Sequence, residues 1–383
     1  MRRSALTLLV AVALAGAALL SVSGSLGDPV RWTPDGLFYQ VRSLELRGES
    51  SDAALRQTFG GPLGAELRRR DPARSGDMDW VRYNTQFYER RVALPAAAAA
   101  LDPVAGDRAL LDLSVAGYVA AVLAIFALLL LRFRLPIAAA VTLATLLLPA
   151  LTDHSAYPLT DSWGLALETI AIAAGLLVLD RGPRWLVLWV ASIFVLSLTR
   201  DSTWIPIAAA AFLTLRYRSR ISVYLLGSGL AATVPVTLAF SAPMKELLAM
   251  MLNDGIQPVR DPSWGFVAER WPGAVVDLLQ ADGGYVRDGA WYSAGYLIVG
   301  LLLLFALGRS ERSRQWMTFL RAAAVAGALS VLVVPIFSAF RLDLVCVPMA
   351  AFGLGLAAER VLARASELTW PRMPVAMPGR SRT

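Results

Sequence analysis

Residues 109–151 read ALLDLSVAGYVAAVLAIFALLLLRFRLPIAAAVTLATLLLPAL, two apolar runs separated by a short connection that contains Arg132 and Arg134. A helix that crosses the hydrocarbon core of a bilayer needs about 20 apolar residues. Backbone polar groups in lipid must be satisfied within the segment, so each run predicts a membrane-spanning helix. The two runs together predict a helical hairpin, and its Arg-containing turn favours the cytoplasmic side.

The same pattern recurs along the whole chain of 383 residues, of which 56% are hydrophobic and 17% charged. That composition is typical of a polytopic membrane protein and argues against a set of soluble domains. We therefore predict an all-α membrane domain over residues 1–360, with a tail at 361–383. About ten spans are predicted, at 4–22, 109–131, 135–151, 162–179, 185–199, 204–215, 221–240, 291–308, 317–338 and 343–360.

The charges are segregated by side in this ten-span topology. The termini and the short, Arg-rich connections hold 18 basic residues against four acidic ones, and the remaining 18 basic residues stand against 25 acidic ones. Membrane insertion produces such an asymmetry, whereas nucleic-acid binding does not, so we expect cytoplasmic termini and no nucleic-acid partner. The chain has one Lys beside abundant Arg and Ala, a composition typical of GC-rich bacterial coding. It therefore favours a bacterial plasma membrane as the location. The first span also resembles a signal peptide, and its cleavage stays open.

Two long connections, residues 23–108 and 241–290, fall on the outer side of this topology. The first holds 12 Arg and 12 acidic residues, which indicates a folded segment. Within it, an apolar stripe over 35–47 predicts an amphipathic helix on the membrane surface, with Gln40, Ser43 and Arg47 on the opposite face. The second repeats the design with a stripe that starts at Met244.

Several kinds of chemistry are disfavoured by what the chain lacks. A single Cys, Cys346, and a single His, His154, exclude a disulfide framework and paired-ligand zinc motifs. The sole lysine, Lys245, lies in no glycine-rich phosphate loop, and no Gly-x-Ser-x-Gly motif occurs. No metal ligand is assigned; a divalent cation, Mg²⁺ or Mn²⁺, would have to use carboxylates and stays open as a cofactor.

Ionisable residues gather instead at the outer ends of the predicted spans, where such groups are costly enough to suggest function. Four connections supply them: Asp28 and Asp35; Asp153, His154 and Asp161; Arg200 and Asp201; Arg341 and Asp343. Simpler interpretations stay open for each. Asp35 and Asp161 are good helix caps, the Arg-Asp neighbours can be local ion pairs, and Glu168 can be a hydrogen-bonded structural residue.

These segments resemble a known superfamily. Asp35-Gly36-x-x-Tyr39 after the first span, Tyr88-Glu89-Arg90-Arg91-Val92-Ala93-Leu94-Pro95 before the second, and the corners Pro158-Leu159-Thr160-Asp161 and Leu198-Thr199-Arg200-Asp201 are similar to those of GT-C glycosyltransferases. The likeness spans roughly residues 1–350. The first loop carries single aspartates, Asp28 and Asp35, where the commoner pattern has an adjacent acidic pair or Asp-x-Asp.

The resemblance implies an inverting transfer of a sugar from a polyprenyl-phosphate donor to a glycan, lipid or protein acceptor at the outer membrane face. Asp35 would be the general base, with Asp28 as the alternative. Three arginines would bind the donor phosphate: Arg91, Arg200 and Arg341. The implied supporting residues are Asp28, Tyr39, His154, Asp161 and Asp201. Tyr39, Trp80 and Trp163 would stack on the sugar.

Other functions compete with this one. A transporter or lipid-linked-oligosaccharide flippase would place ionisable residues near the middle of several spans. An oligosaccharide polymerase or ligase would share the outward Arg-rich loops. A non-catalytic assembly subunit would use the outer charges only as caps and ion pairs. A site that joins Asp35 to Arg200 and Arg341 favours the transferase.

Overall fold

The computed structural model describes residues 2–26, 31–70, 77–240, 244–253, 259–307, 314–335 and 341–369, which form helices and no strands. The helices, numbered here in chain order, are α1 Arg2–Leu26, α2 Pro34–Leu46, α3 Ser51–Leu55, α4 Ala65–Arg70, α5 Met78–Thr85, α6 Ala93–Ala105, α7 Ala109–Leu130, α8 Leu135–Leu146, α9 Pro149–Ser155, α10 Asp161–Arg181, α11 Leu186–Ser197, α12 Trp204–Tyr217, α13 Arg220–Ala239, α14 Met244–Met251, α15 Trp264–Tyr285, α16 Trp291–Leu307, α17 Arg314–Val333 and α18 Val347–Thr369.

The protein is an all-helical, polytopic membrane protein. Seven described helical stretches are long and apolar enough to cross a bilayer: Ser4–Gly24, Ala93–Leu130, Asp161–Arg181, Arg220–Ala239, Trp264–Leu307, Arg314–Val333 and Leu342–Ala365. The bent pair α8 and α9 makes an eighth if it counts as one span. The predicted spans 185–199 and 204–215 coincide with α11 and α12, which have only 12 and 14 residues. The count of ten therefore stays a prediction.

The predicted span 135–151 is broken rather than straight. Helix α8 ends at Leu146, and α9 starts at Pro149 with a bend of 65° between the two. Proline lacks a backbone N–H and disfavours helical backbone in the residue before it, so a new helix starts there. The break turns α9 toward the start of α10, where the Ser155 and Ser162 hydroxyls lie 2.9 Å apart.

The first outer segment folds around α2. Thr33 caps this helix, since its hydroxyl accepts a hydrogen bond of 3.1 Å from the Gly36 N–H. Phe38 and its apolar neighbours pack against Phe59 and Trp80 in a core separate from that of the spans. Gln40 and Ser43 are buried as well, so the prediction of a helix with one face on the membrane surface is wrong for α2. Protein encloses both faces of most of α2, and its C-terminal end, at Leu46 and Arg47, is exposed.

Helix α2 also lies close to the connection before α10. A Cβ atom at Gly36 would lie 3.0 Å from the Pro158 carbonyl oxygen. The Tyr39 hydroxyl lies 3.0 Å from that of Thr160. This contact brings Asp35 beside the start of α10. The Arg-rich connections lie elsewhere: Arg181, at the other end of α10, is about 30 Å away along the helix axis.

Helices α16 and α18 approach each other through glycines, and this contact gives a stability prediction. A Cβ atom at Gly353 would overlap the Gly300 carbonyl oxygen, and one at Gly300 would lie 2.6 Å from the Ala350 carbonyl oxygen. We expect Gly353→Ala to lower the free energy of unfolding by about 1–3 kcal/mol, the usual effect of overpacking. Thermal unfolding in detergent measures the change. Gly295→Ala in α16 is the control, because no atom lies within 4 Å of that added Cβ; equal melting of both variants would contradict the prediction.

Candidate functional site

Five separate segments bring charged side chains to one place at the end of the helical bundle. Asp35 lies in the first turn of α2, and Asp161 is the first residue of α10. Arg90 and Arg91 precede α6, Arg200 and Asp201 lie between α11 and α12, and Arg341 precedes the short helix Leu342–Cys346 that leads into α18. Helix termini and tight turns fix the backbone of every one of these residues.

Arg341 is the centre of a four-member ionic network. Its Nη2 lies 2.6 Å from Asp35 Oδ2, and its Nε donates a hydrogen bond of 2.8 Å to Asp161 Oδ1. Arg200 Nη1 donates to the same Asp161 oxygen. The Asp161 side chain is only 1% exposed, whereas that of Asp35 is 24% exposed. Asp161 is therefore the internal counter-charge, and Asp35 is the carboxylate that a ligand can reach.

Aromatic residues join this network to a second group of ion pairs. Tyr88 donates a hydrogen bond of 2.6 Å to Asp35 Oδ1, and its ring stacks on Phe38 at 4.7 Å. The Arg91 guanidinium lies over the Tyr88 ring, 5.3 Å from its centroid, and Nη1 donates to the Tyr39 hydroxyl at 3.0 Å. Stacking and hydrogen bonds of this kind hold a guanidinium in a defined orientation.

Asp201 completes the second group. Its two carboxylate oxygens accept one arginine each, Oδ2 from Arg91 and Oδ1 from Arg90, both at 3.0 Å. Arg90 also donates through Nε to the Ser197 carbonyl oxygen at 3.0 Å. The side chain of Asp201 is 41% exposed, so this group forms the solvent-facing rim.

The neighbouring arginines set the protonation of the two accessible carboxyls. Burial alone would raise the pKa of Asp35, but the charge of Arg341, the hydrogen bond from Tyr88 and the charge of Arg91 bring that pKa below its ordinary value. Desolvation would likewise raise the pKa of Asp201, and Arg91 and Arg90 bring it down. Burial and the nearby Asp35 raise the pKa of Tyr88 well above its ordinary value. Both carboxyls are thus ionised near neutral pH, and Tyr88 remains a donor.

These shifts predict a pH dependence of stability. A carboxyl whose folded-state pKa is depressed contributes stability above its unfolded pKa, about 3.9, and loses that contribution as pH falls through the folded-state value. We expect the melting temperature of the wild type to decrease when the pH is lowered beyond about 4. In Asp35→Asn or Asp201→Asn, the melting temperature should depend less steeply on pH in that range. Thermal unfolding from neutral to acidic pH, with the exposed Asp112→Asn as control, measures this. Identical slopes for all four proteins would contradict it.

A small cavity lies beside the ionic network. The space within it that is open to the centre of a water molecule is about 10 Å³, and its lining consists of Asp161, Gly164, Leu165, Arg200, Ser202, Arg341, Leu344 and Val345. The side chain of Arg200 runs directly over Gly164, where a Cβ atom would lie 2.7 Å from Arg200 Cδ. Glycine at this position allows the guanidinium to reach Asp161.

The structure brings together seven of the residues that the sequence pointed to. They are Asp35, Tyr39, Arg91, Asp161, Arg200, Asp201 and Arg341. His154 lies nearby, in the last turn of α9. Asp28 lies outside the described residues. The interpretation of Asp35 and Asp161 as caps is wrong, because Thr33 caps α2 and the Asp161 carboxylate binds arginines. Arg341 and Arg200 pair with carboxylates distant in sequence.

Two of the three predicted stacking aromatics are not available to a sugar. Tyr39 is fully buried and uses its hydroxyl to hold Arg91, and Trp80 belongs to the core around α2. Trp163 is half-buried and donates to the Leu113 carbonyl oxygen at 2.7 Å. Tyr88 and Arg90 belong to the site although no role was predicted for either. Both residues belong to the segment 88–95 that resembles the GT-C pattern, and this resemblance was the sequence feature that could have identified them.

A divalent cation does not fit the described residues. Among them, no three His, Cys, Asp or Glu side chains gather as a metal site. The three carboxylates of the site, those of Asp35, Asp161 and Asp201, are each engaged by arginine. Comparison of the sequence with protein-family models and with curated proteins finds no match. The geometry and chemistry of this site are therefore the grounds for proposing a function.

Proposed function

We propose that the chain is a membrane glycosyltransferase that moves a sugar from a polyprenyl-phosphate donor to an acceptor hydroxyl with inversion. One observation carries the proposal: an accessible carboxylate, Asp35, is held beside Arg341 and linked through Asp161 to Arg200. A base and two phosphate-binding cations within one network are the groups that such a transfer requires. The acceptor is a glycan, a lipid or a protein, and nucleic acid is not a partner.

The charge of the site suits a phosphate diester. Four guanidinium groups, those of Arg90, Arg91, Arg200 and Arg341, face three carboxylates, those of Asp35, Asp161 and Asp201, which leaves one positive charge. A polyprenyl-phosphate sugar carries one negative charge on its diester. Arginine is suited to phosphate because its planar fork donates two parallel hydrogen bonds. The ligand would replace a carboxylate on Arg341 or Arg200.

The reaction follows from the same contacts. Asp35 accepts the proton of the acceptor hydroxyl, whose oxygen forms a bond to the anomeric carbon of the sugar. The bond between that carbon and the phosphate oxygen breaks, and polyprenyl phosphate leaves with the electron pair. In the structure Arg341 forms an ion pair with Asp35, which makes Asp35 a weak base. A phosphate that draws Arg341 away restores the basicity of Asp35, so donor binding activates the base.

The size of the cavity indicates that binding rearranges the network. Its space for the centre of a water molecule, about 10 Å³, holds about one water and is far below the roughly 300 Å³ at which small-molecule pockets begin. A sugar phosphate enters only if one of the Arg-carboxylate contacts opens. We place the site on the outer face of a bacterial plasma membrane, with both termini cytoplasmic, on the strength of the charge asymmetry.

A transfer assay in membrane vesicles tests the proposal. Vesicles that contain the wild-type chain receive a panel of radiolabelled undecaprenyl-phosphate sugars, and vesicles without the chain are the control. We expect one donor to lose its sugar to an acceptor, with release of undecaprenyl phosphate, only where the chain is present. Movement of a labelled lipid across the bilayer without loss of the sugar would contradict the proposal and favour a flippase.

A further inference from the structure

Glu168 is a buried carboxyl that the proposed reaction does not use. It lies inside α10, it is fully shielded from solvent, and neither of its oxygens makes a hydrogen bond of normal geometry with a described residue. The Ser202 hydroxyl is also buried without a hydrogen bond of normal geometry; it lies close enough to Glu168 to interact with the carboxyl, as does the Arg200 guanidinium. A buried carboxyl with its hydrogen-bonding capacity poorly satisfied is costly, which makes Glu168 a candidate for a functional role.

The position of Glu168 relative to Arg200 suggests that role. Asp161, Gly164 and Glu168 are spaced by three and four residues, which places them on one face of α10. The stem of Arg200 crosses this face at Gly164, between the two carboxyls. Asp161 is about 4.5 Å from that crossing along the helix axis, and Glu168 is about 6 Å from it on the other side. A change of side-chain rotamer moves the guanidinium from one carboxyl toward the other.

Asp161 and Arg200 differ in how much of their hydrogen-bonding capacity is in use. Asp161 Oδ1 receives both Arg200 and Arg341. Arg200 has five N–H donors, of which one is in this bond. We propose that Glu168 is a positioning residue, which with Ser202 holds the Arg200 guanidinium when an anionic phosphate ligand displaces it from Asp161.

This role rests on the proposed function and deepens it. Without an alternative acceptor, Arg200 returns to Asp161 and competes with the ligand for the same place. With Glu168 as its anchor, Arg200 stays off Asp161 and directs its remaining N–H groups at the phosphate. Asp161, relieved of one guanidinium, has both oxygens for Arg341, which then releases Asp35.

The sign of one measurement separates this role from a passive one. If Glu168 is only a neighbouring group, exchange of its carboxyl for the isosteric amide leaves anion binding unchanged, or strengthens it where the carboxyl is ionised and repels the phosphate. If Glu168 anchors Arg200, Glu168→Gln weakens binding instead. The probe is farnesyl phosphate, titrated calorimetrically into the full-length protein in lipid nanodiscs. We expect its dissociation constant to rise roughly tenfold in Glu168→Gln, the effect of one lost charge-assisted hydrogen bond.

Three further comparisons complete the test. Glu168→Asp keeps the carboxyl and should bind within about threefold of the wild type, whereas a merely space-filling role would predict a loss from the shorter side chain. Thr169→Val, the adjacent buried position, should leave the affinity unchanged. In an Arg200→Gln background, Glu168→Gln should add no further loss, because the anchored group is gone. Thermal unfolding without ligand confirms that each variant is folded.

The possible failures are distinguishable. If the wild type itself does not bind farnesyl phosphate, the proposed function fails and this inference fails with it. If the wild type binds and Glu168→Gln binds as tightly or more tightly, only the role of Glu168 is overturned. An additional loss from Glu168→Gln in the Arg200→Gln background also overturns it, since Glu168 would then act on the ligand by another route.

Discussion

Asp161→Asn is expected to lower the free energy of unfolding by about 3–5 kcal/mol, the cost of removing one partner from a buried ion pair. The Asp161 carboxylate is 1% exposed and accepts both Arg200 and Arg341. Asparagine keeps the shape but no longer neutralises the two guanidinium groups. Arg341 retains Asp35, whereas Arg200 loses its carboxylate partner in the network. Denaturant or thermal unfolding of the purified protein in detergent measures the loss.

Asp112→Asn is the matched control for Asp161→Asn. Asp112 lies in the first turn of α7, its side chain is 49% exposed, and its pairing with Arg108 at 3.9 Å is on the surface. Surface ion pairs contribute about 0–1 kcal/mol, so this variant should melt close to the wild type. If Asp161→Asn and Asp112→Asn melt alike, the ionic network is not holding the ends of α10 and α18 together.

Asp35→Asn is expected to reduce the rate of sugar transfer by about 10²–10⁴-fold, the usual contribution of a general base. The amide cannot take the proton of the acceptor hydroxyl. It can still accept the Tyr88 hydrogen bond, and Arg341 retains Asp161, so the local structure should persist. Initial rates in vesicles, normalised to the amount of folded protein and at saturating donor, measure the loss in the catalytic step.

Asp52→Asn is the control for that loss, because Asp52 lies in the same outer segment with its side chain 58% exposed and 3.1 Å from Arg82. It should transfer at the wild-type rate. Transfer by Asp35→Asn within tenfold of the wild type would exclude Asp35 as the base and direct attention to Asp28. A loss confined to the Michaelis constant for the donor would instead make Asp35 a binding residue.

The ionic network shows how far sequence reasoning reaches. The positions of Asp35, Asp161, Arg200 and Arg341 at the ends of apolar runs placed them at one level of the membrane. Their partners were a different matter. A local pair of Arg341 with Asp343 was one of the open alternatives, whereas Arg341 binds Asp35 and Asp161, which are 306 and 180 residues away in sequence. Sequence spacing carries no information on which side chains at one level face one another.

The burial of α2 likewise depends on contacts between segments that the local sequence does not specify. Its apolar stripe was visible in the sequence, since helical periodicity is local. Whether its polar face met water or protein depended on helices α3 to α6, which pack around it. Residues 135–151 differ from their prediction in another way. Hydrophobicity predicted one span, and the structure divides this stretch into two helices at Pro149. Average hydropathy over a window is insensitive to a single helix-breaking residue.

The sequence by itself determined that this is a helical membrane protein, approximately where its spans lie, and which of its charges gather at one end. Those properties depend on runs of about 20 neighbouring residues, because lipid requires each span to satisfy its own backbone. Only the tertiary structure decided that Arg341 joins Asp35 to Asp161, that Tyr88 binds the candidate base, and that Glu168 lies buried close to Arg200 and Ser202. Such pairings arise from the packing of helices distant in sequence, whose relative rotation no local pattern specifies.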